Sequence, residues 1–233
     1  MVKLMKLLNF RAMIYYEAGL TVDKKIIGKY PQIPGLIDGY NKTMPNSMTK
    51  IKWNEFPDFI PDLRYEVQRG SKVTDVIDLA NTDSSGFLIN EKLLDIFLKF
   101  NLVRFHYYPA QVFHLQKCYK YFLLHLLPLE DFLGIDFDKS IFFEQNVIYR
   151  SKINEVKFHD EVSFLEVFSN FKNKDHCIQA EKIILTNDFR NKNIDIFYFK
   201  FGLTRVLFSE RLVDEIKKNK ITGFEFQRDE RVK

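Results

Sequence analysis

One segment of this chain occurs twice. Residues 87–105 read FLINEKLLDIFLKFNLVRF, residues 206–224 read VLFSERLVDEIKKNKITGF, and the two align without a gap, 119 residues apart. Glu91 meets Glu210, Lys92 meets Arg211, Leu93 meets Leu212 and Asp95 meets Asp214. Further on, Phe97 meets Ile216, Lys99 meets Lys218, Leu102 meets Ile221 and Phe105 meets Phe224. Each copy has an apolar lead-in, a helix start, an amphipathic helix and a stretch of strand character. Asn90 and Ser209 are expected N-caps, because a short side-chain oxygen can accept from the free amides of the first turn. Leu93, Leu94, Phe97 and Phe100 fall on one helix face, as do Leu212, Val213 and Ile216. Glu91 and Glu210 belong in the first turn, exposed, where the helix dipole favours them. Asn101 is expected to end the first helix in a left-handed conformation, and Gly223 to permit a bend into a closing strand. Neither copy carries a catalytic group, so the repeat reads as scaffold.

The chain around the repeat is rich in strand signals. Residues 11–16 and 73–80 read as strands, followed by a turn at 81–86. Residues 28–62 hold Gly28, Pro31, Pro34, Gly35, Gly39, Pro45, Pro57 and Pro61, and should be irregular, packed down by Trp53, Phe56 and Phe59. Three strands are expected at 103–108, 112–115 and 119–127, punctuated by Pro109 and Pro128. Residues 134–143 alternate at first, placing Ile135 and Phe137 on one face and Asp136 and Asp138 on the other. A short helix is predicted at 161–171, then strands at 181–186 and 194–201 joined by a turn at 187–193. Strands outnumber helices and follow one another in hairpin-like runs. The pattern predicts an α+β fold: a largely antiparallel mixed sheet with a few short helices, including two similar helix–strand units.

The 233 residues fit one domain: a Pro/Gly-rich part at 1–72, a core at 73–227 and a frayed tail at 228–233. Apolar residues make up 46% of the chain and include 24 Phe, enough for a sizeable core without metal or disulfide staples. The net charge of +4 rests on 35 basic and 31 acidic residues interspersed along the chain, which argues against a nucleic-acid partner. Cys118 and Cys177 have no metal or disulfide spacing and read as free thiols. Asn9 and Arg11 interrupt the apolar start before a signal-peptide core could form. The longest apolar stretch, 121–129, contains His125 and Pro128 and is too short to span a bilayer. A cytoplasmic protein with no membrane partner is expected.

The search for chemistry is short. The five histidines form no metal-binding pair, and His176 and Cys177 are adjacent and should point apart. No nucleophile elbow and no Gly-rich phosphate loop is present; the segment from Gly35 to Gly39 lacks the lysine and helix of the latter. The sharpest enzymatic pattern is nuclease-like: Glu155 and Lys157 as a strand-borne E-x-K, with Pro57-Asp58 and Pro61-Asp62 upstream. Acids would hold magnesium and the lysine would position water. The usual arrangement places the acid on the strand just before E-x-K, which this order does not. No cofactor is expected. Phe105, Tyr107, Tyr108, Phe142 and Phe143 read as sheet core before binding surface. The densest one-sided charge is Glu130, Asp131, Asp136, Asp138 and Glu144, balanced by Lys139; it reads first as a solvated strand face, and in a functional role it suits a patch that meets a basic partner.

A resemblance runs through these segments in order: N-E-K-L-L at 90–94, F-H-Y-Y-P at 105–109, I-D-F-D-K-S at 135–140, S-E-R-L at 209–212 and T-G-F-E-F at 222–226. Over about residues 75–226 the chain resembles the bacterial immunity proteins of polymorphic toxin systems, family eleven, with family forty-three as the sibling alternative. Asn90 departs from the Ser more usual in the family, and both residues cap a helix. The resemblance implies neutralisation of a cognate toxin domain by direct binding, and it supplies no catalytic residues. The expected function is therefore a non-enzymatic toxin-binding protein contacting its partner through Glu130, Asp131, Asp136 and Asp138, or failing that through residues 53–59. The alternatives are a metal-dependent nuclease around Glu155 and Lys157, and a small-ligand-binding regulator with its pocket under residues 28–62.

Overall fold

Two strands decide the layering. In β4 (Phe87–Asn90), Phe87 and Ile89 enter one hydrophobic cluster while Leu88 enters another on the opposite face. Its neighbour β6 (Lys117–Leu126) does the same, with Phe122, Leu124 and Leu126 on one side and Tyr121 and Leu123 on the other. A period of two with apolar residues on both faces requires cover on both sides of the sheet. The computed structural model describes residues 13–79, 86–129, 134–169, 175–199 and 205–233. Among these, strands in three mostly antiparallel sheets outnumber helices, giving an α+β fold.

The first sheet also contains β2 (Arg64–Glu66), β3 (Val76–Ile77) and β5 (Phe105–His114), in the order β2-β5-β6-β4-β3. Helix α1 (Lys24–Ile27) precedes these strands in the chain, and one face of the sheet packs against α2 (Glu91–Phe97). The other is covered by the Pro/Gly-rich segment through Ile33, Met48 and Ile51. Trp53 is half exposed instead. Strand β5 runs unbroken through Pro109, where a break was expected. The reason is directional. The Gln111 amide donates to Leu63 O on the β2 side, so the Pro109 nitrogen, two residues earlier, faces that same side beyond the end of β2. No ladder donor is lost there.

The second sheet has β1 (Tyr15–Leu20), β10 (Ile196–Phe197), β11 (Leu207–Ser209) and β12 (Phe224–Arg228), in the order β10-β11-β1-β12. Its helix is α5 (Glu210–Lys218). This reproduces β3-β4-β6-β5 with α2, except that the third strand comes from the beginning of the chain. The registers coincide as well. Ile89 faces Val76 and Phe122, while Phe208 faces Ile196 and Tyr16. Phe122 faces Pro109, while Tyr16 faces Arg228. The repeat seen in the sequence is thus part of a duplicated four-strand, one-helix unit whose second copy is circularly permuted. Leu93 and Leu212 are both 0% exposed, and Phe97 and Ile216 are buried beside them. Asn90 and Ser209 cap as expected, accepting from Leu93 N at 3.0 Å and Leu212 N at 3.4 Å. Glu91 is exposed, whereas Glu210 is half-buried. Asn101 is not left-handed; Leu98 caps α2 with its amide on Leu94 O and Ile96 O.

A third sheet, β8-β7-β9, joins β7 (Ile141–Asn146), β8 (Lys152–Val156) and β9 (His176–Lys182), with α3 (Glu161–Ser169) nearby. Phe137, Phe142, Phe158 and Phe164 pack ring to ring and tie this sheet and α3 to the main core. The expected turn at 187–193 is a short helix, α4 (Asn187–Asn191). Thr186 caps it by accepting from Phe189 N at 3.2 Å, and Phe189 anchors it in the core. The expected frayed tail is docked. Val232 is buried, Ile183 N donates to Arg231 O at 2.8 Å, and Lys233 N donates to Ile183 O at 2.9 Å. Arg231 also grips Asp229 and Glu17. Of the turn expected at 81–86, residues 81–85 lie outside the described residues. No described helix is long and apolar enough to cross a membrane.

Candidate functional site

Asp136 and Asp138 do not sit on a strand. Ile135 makes a single bridge to Leu185, and residues 137–139 turn. The cause is local. Asp136 Oδ1 accepts from Lys139 N at 3.3 Å, and its carbonyl accepts from Ser140 N at 3.0 Å and Ser140 Oγ at 2.7 Å. An aspartate that can satisfy amides three and four residues ahead competes with a strand ladder. Ile135 and Phe137 are nevertheless buried, as the alternation predicts. The Asp136 carboxylate also pairs with Lys139 Nζ at 2.6 Å, and Asp138 faces His159 Nδ1 at 3.4 Å. Glu130 and Asp131 lie outside the described residues.

Asp138 shares a cleft of about 410 Å³ with Lys139, Glu155, Lys157 and His159. The two separate sequence candidates, the acidic patch and the E-x-K pair, therefore meet at one place. The cleft carries two acids and two lysines, so its charge is mixed. The upstream Pro-Asp acids do not join it. Asp62 is held by Arg64 through Nε at 3.0 Å and Nη2 at 2.6 Å, and lines a different cleft of about 470 Å³ with Pro61, Leu63 and Pro109. Among the described residues no three His, Cys, Asp or Glu side chains are grouped to hold a metal ion. His176 and Cys177 point apart: His176 Nδ1 meets Glu144 Oε1 at 2.5 Å, and Cys177 Sγ accepts from Gln179 Nε2.

Among the described residues, the hairpin between β7 and β8 carries the most exposed apolar group. Val147, Ile148 and Tyr149 are 50%, 64% and 80% exposed, and Ile153 follows on β8. The turn is built rather than loose. Asn146 Oδ1 accepts from Ile148 N and Tyr149 N, both at 3.0 Å, Val147 N donates to Asp175 O, and Arg150 adopts φ 52°. Among the described residues β8 ends its sheet, with residues 152–155 all exposed and pairing to β7 alone. An apolar run of this kind beside a free strand edge is the form many protein-binding surfaces take. The sequence reading passed over it, although V-I-Y between Asn146 and Arg150 is a legible signal: apolar residues at a turn.

Two buried polar sites also escaped the sequence reading. Asp195 is fully buried and joins the two units. Ser209 Oγ donates to it at 2.5 Å, Asn101 N at 2.9 Å, and Arg211 through Nε and Nη2 at 2.6 Å each. His125 is fully buried, with neither ring nitrogen hydrogen-bonded and the Phe56 ring edge-on at 5.4 Å. Burial pushes its pKa below the ordinary 6.5, the facing His106 pushes the same way, and the Trp53 and Lys52 backbone opposes both.

Compared with models of known protein families the chain matches none, and no curated protein matches it.

Proposed function

We propose that this chain is a non-enzymatic binding protein of the immunity type, which occludes a toxin domain through the β7–β8 hairpin and the free edge of β8. The observation that carries this reading is the run of exposed Val147, Ile148 and Tyr149 on a turn fixed by Asn146, followed by exposed Ile153 on β8, whose outer edge has no strand partner among the described residues. A preformed apolar tip loses little conformational freedom on docking, and an open edge supplies main-chain donors and acceptors to a partner strand. The ordered motifs from Asn90 to Phe226 support the immunity assignment by their resemblance to that family. The cleft with Asp138 and Lys139 opens beside the base of the same hairpin strands and forms the polar rim of the contact.

The test is a binding measurement against a cognate toxin domain, sought by sequencing the adjacent reading frame. Tyr149→Ala or Ile148→Asp should weaken binding on the order of 30-fold or more, as truncation of an interface anchor does. Asp136→Asn with Asp138→Asn should change association rate and salt dependence more than affinity. Full binding in both hairpin variants overturns the assignment of the contact face.

The meeting of Glu155, Lys157, Asp138 and His159 in one cleft favours one second reading, a nuclease-like activity. Incubation with DNA and RNA in magnesium or manganese decides it: turnover that disappears in Glu155→Ala supports the enzyme and overturns the non-catalytic reading.

A further inference from the structure

The two units differ at one charged position in a way that exposes a vacant half-site. In the second unit, Asp195 receives the Arg211 guanidinium through two bonds of 2.6 Å, and the Phe100 ring lies 5.7 Å from that guanidinium. Arg211 Nη2 also donates to Asn193 O at 3.3 Å. The counterpart of Asp195 in the first unit is Asp75. The correspondence is close: Ser209 N donates to Asp195 O at 2.8 Å, and Asn90 N donates to Asp75 O at 2.9 Å. The cap of each unit's helix bonds the carboxylate, Ser209 Oγ to Asp195 and Asn90 Nδ2 to Asp75 at 2.8 Å. Each carboxylate also receives an amide from beyond the other unit's helix, Asn101 N for Asp195 and Thr222 N for Asp75 at 2.7 Å.

The cation is what the first unit lacks. Lys92 stands where Arg211 does, but its ammonium goes to Asn219 O at 2.7 Å. The Asp75 carboxylate receives Asn90 Nδ2 and the amide and hydroxyl of Thr222, and no cation among the described residues pairs with it. Beside the Asp75 carboxylate there is an open cleft of about 590 Å³, lined by Val73, Asp75, Asn90, Tyr119, Tyr121 and Thr222 among others. Val73 holds the place of Asn193, whose carbonyl takes the second guanidinium contact. His114 and Tyr119 also border the cleft and supply flat surfaces such as Phe100 supplies in the other unit. Lys120 is on the rim, with its charge held by Glu91 at 2.7 Å.

We infer that the Asp75 cleft is a recognition site for a guanidinium group, an arginine side chain presented by a partner protein, docking as Arg211 docks on Asp195. Asp75 Oδ1 accepts only Asn90 Nδ2 and keeps room for one guanidinium donor, whereas Oδ2 already takes the amide and hydroxyl of Thr222, so the second donor of the fork replaces that hydroxyl; an aromatic wall favours guanidinium over ammonium. This site is separate from the hairpin surface, and its test does not require the toxin reading to be correct.

The test is an amide NMR titration of the full chain with N-acetyl-arginine methylamide, which presents the side chain without free charged termini. The Thr222 amide, bonded to Asp75, is the reporter. The expected result is a saturable shift of Thr222 and of the Asn90 side-chain amide at millimolar ligand, absent with the citrulline analogue and lost in Asp75→Asn. In Lys92→Arg the new guanidinium fills the cleft from within, so the response to added ligand should also disappear. That variant keeps the test decisive if Asp75→Asn does not fold. No saturable shift up to about 10 mM, where even a weak single-side-chain site should begin to fill, or a shift that persists in Lys92→Arg, overturns the inference. Free arginine binding more tightly than the blocked form would place the ligand among small molecules and overturn the protein-partner assignment.

Discussion

The two units have the same strand order, the same helix and the same caps, yet one is continuous in the chain and the other is assembled from its two ends. What they share marks what the unit requires. Both bury a leucine at the third helical position, and both carry a tyrosine on the third strand whose hydroxyl reaches back to the segment before the first strand. Tyr121 donates to Thr74 O at 2.5 Å, and Tyr15 donates to Ile194 O at 3.3 Å. Both hydroxyls are held well above the usual phenol pKa, by burial first and then by Asp75 or Asp195 nearby. What they do not share is free to vary. Ile89 is matched by Phe208, Lys92 by Arg211 and His125 by Gly19. The shared features are apolar or hydrogen-bonded in the interior; of these three differences only His125 against Gly19 changes polarity, since Lys92 and Arg211 carry the same charge. The unit is therefore specified by packing and polar satisfaction, and what varies at the charged position is where the cation goes: Arg211 to Asp195, Lys92 to Asn219 O.

The strongest way to break this comparison is to truncate its shared core. Leu93→Ala and Leu212→Ala should each cost about 2–5 kcal/mol through the cavity left behind, since both side chains are fully buried. Urea unfolding should give similar losses for the two. If one costs less than about 1 kcal/mol, the two helices do not bury equivalent faces.

Next is the charged pair. Asp195→Ala removes the acceptor of buried Ser209 Oγ and Asn101 N, while Arg211, 56% exposed, can rehydrate. A cost of about 3 kcal/mol is expected. Asp75→Ala should cost about 1 kcal/mol, because its carboxylate is half exposed and its donors reach water. Equal costs would contradict the claim that Asp75 is an incomplete version of Asp195.

The parts of this arrangement legible in the sequence were those that act over a few residues. Asn90 and Ser209 cap because their side chains meet amides three positions on, and the buried leucines follow from helical spacing. The permutation was not legible, because residues 11–16 show only that a strand exists, not that it lies between β11 and β12. Asp75 and Asp195 escaped for the same reason: their partners, Thr222 and Asn101, are remote in the chain. The alternation at 134–138 gave the correct inward side chains and the wrong backbone, since Asp136 can bond its own turn as readily as a strand can pair. The tail looked frayed because its anchors, Ile183 and Glu17, belong to distant segments. Of the candidate contact residues, Asp136 proved to be a turn former, and the hairpin tip, the contact face proposed above, went unread because the search for a contact face followed charge rather than exposed apolar side chains.

A smaller effect separates the tyrosines. Tyr121→Phe should cost about 1 kcal/mol and Tyr15→Phe less, given hydroxyl contacts of 2.5 Å and 3.3 Å. Chemical denaturation of both variants checks the order. A larger loss at Tyr15 would mean that the second unit, despite its permuted strand, depends more on this bond than the first.

The smallest expected effect is a pH dependence confined to the first unit. His125 lies on β6 at the position that Gly19 holds on β1, so only one unit carries a titratable group there. Its folded pKa is lowered from 6.5, chiefly by burial. The sign follows from proton counting. Above about pH 6.5 both folded and unfolded chains keep this imidazole neutral, and it contributes no pH dependence. As pH falls through 6.5 the unfolded chain takes up a proton that the folded chain resists, so stability declines until the folded pKa is reached. Thermal melts at pH 7.5 and 5.5 should therefore show acid destabilisation in the parent chain. In His125→Leu, which leaves no ring nitrogen to desolvate, that part of the acid loss should disappear. Gly19→His would not restore it, because Gly19 is half-buried where His125 is fully buried. An unchanged difference between the two pH values in His125→Leu would show that other groups carry the acid sensitivity and that this contrast between the units has no thermodynamic consequence.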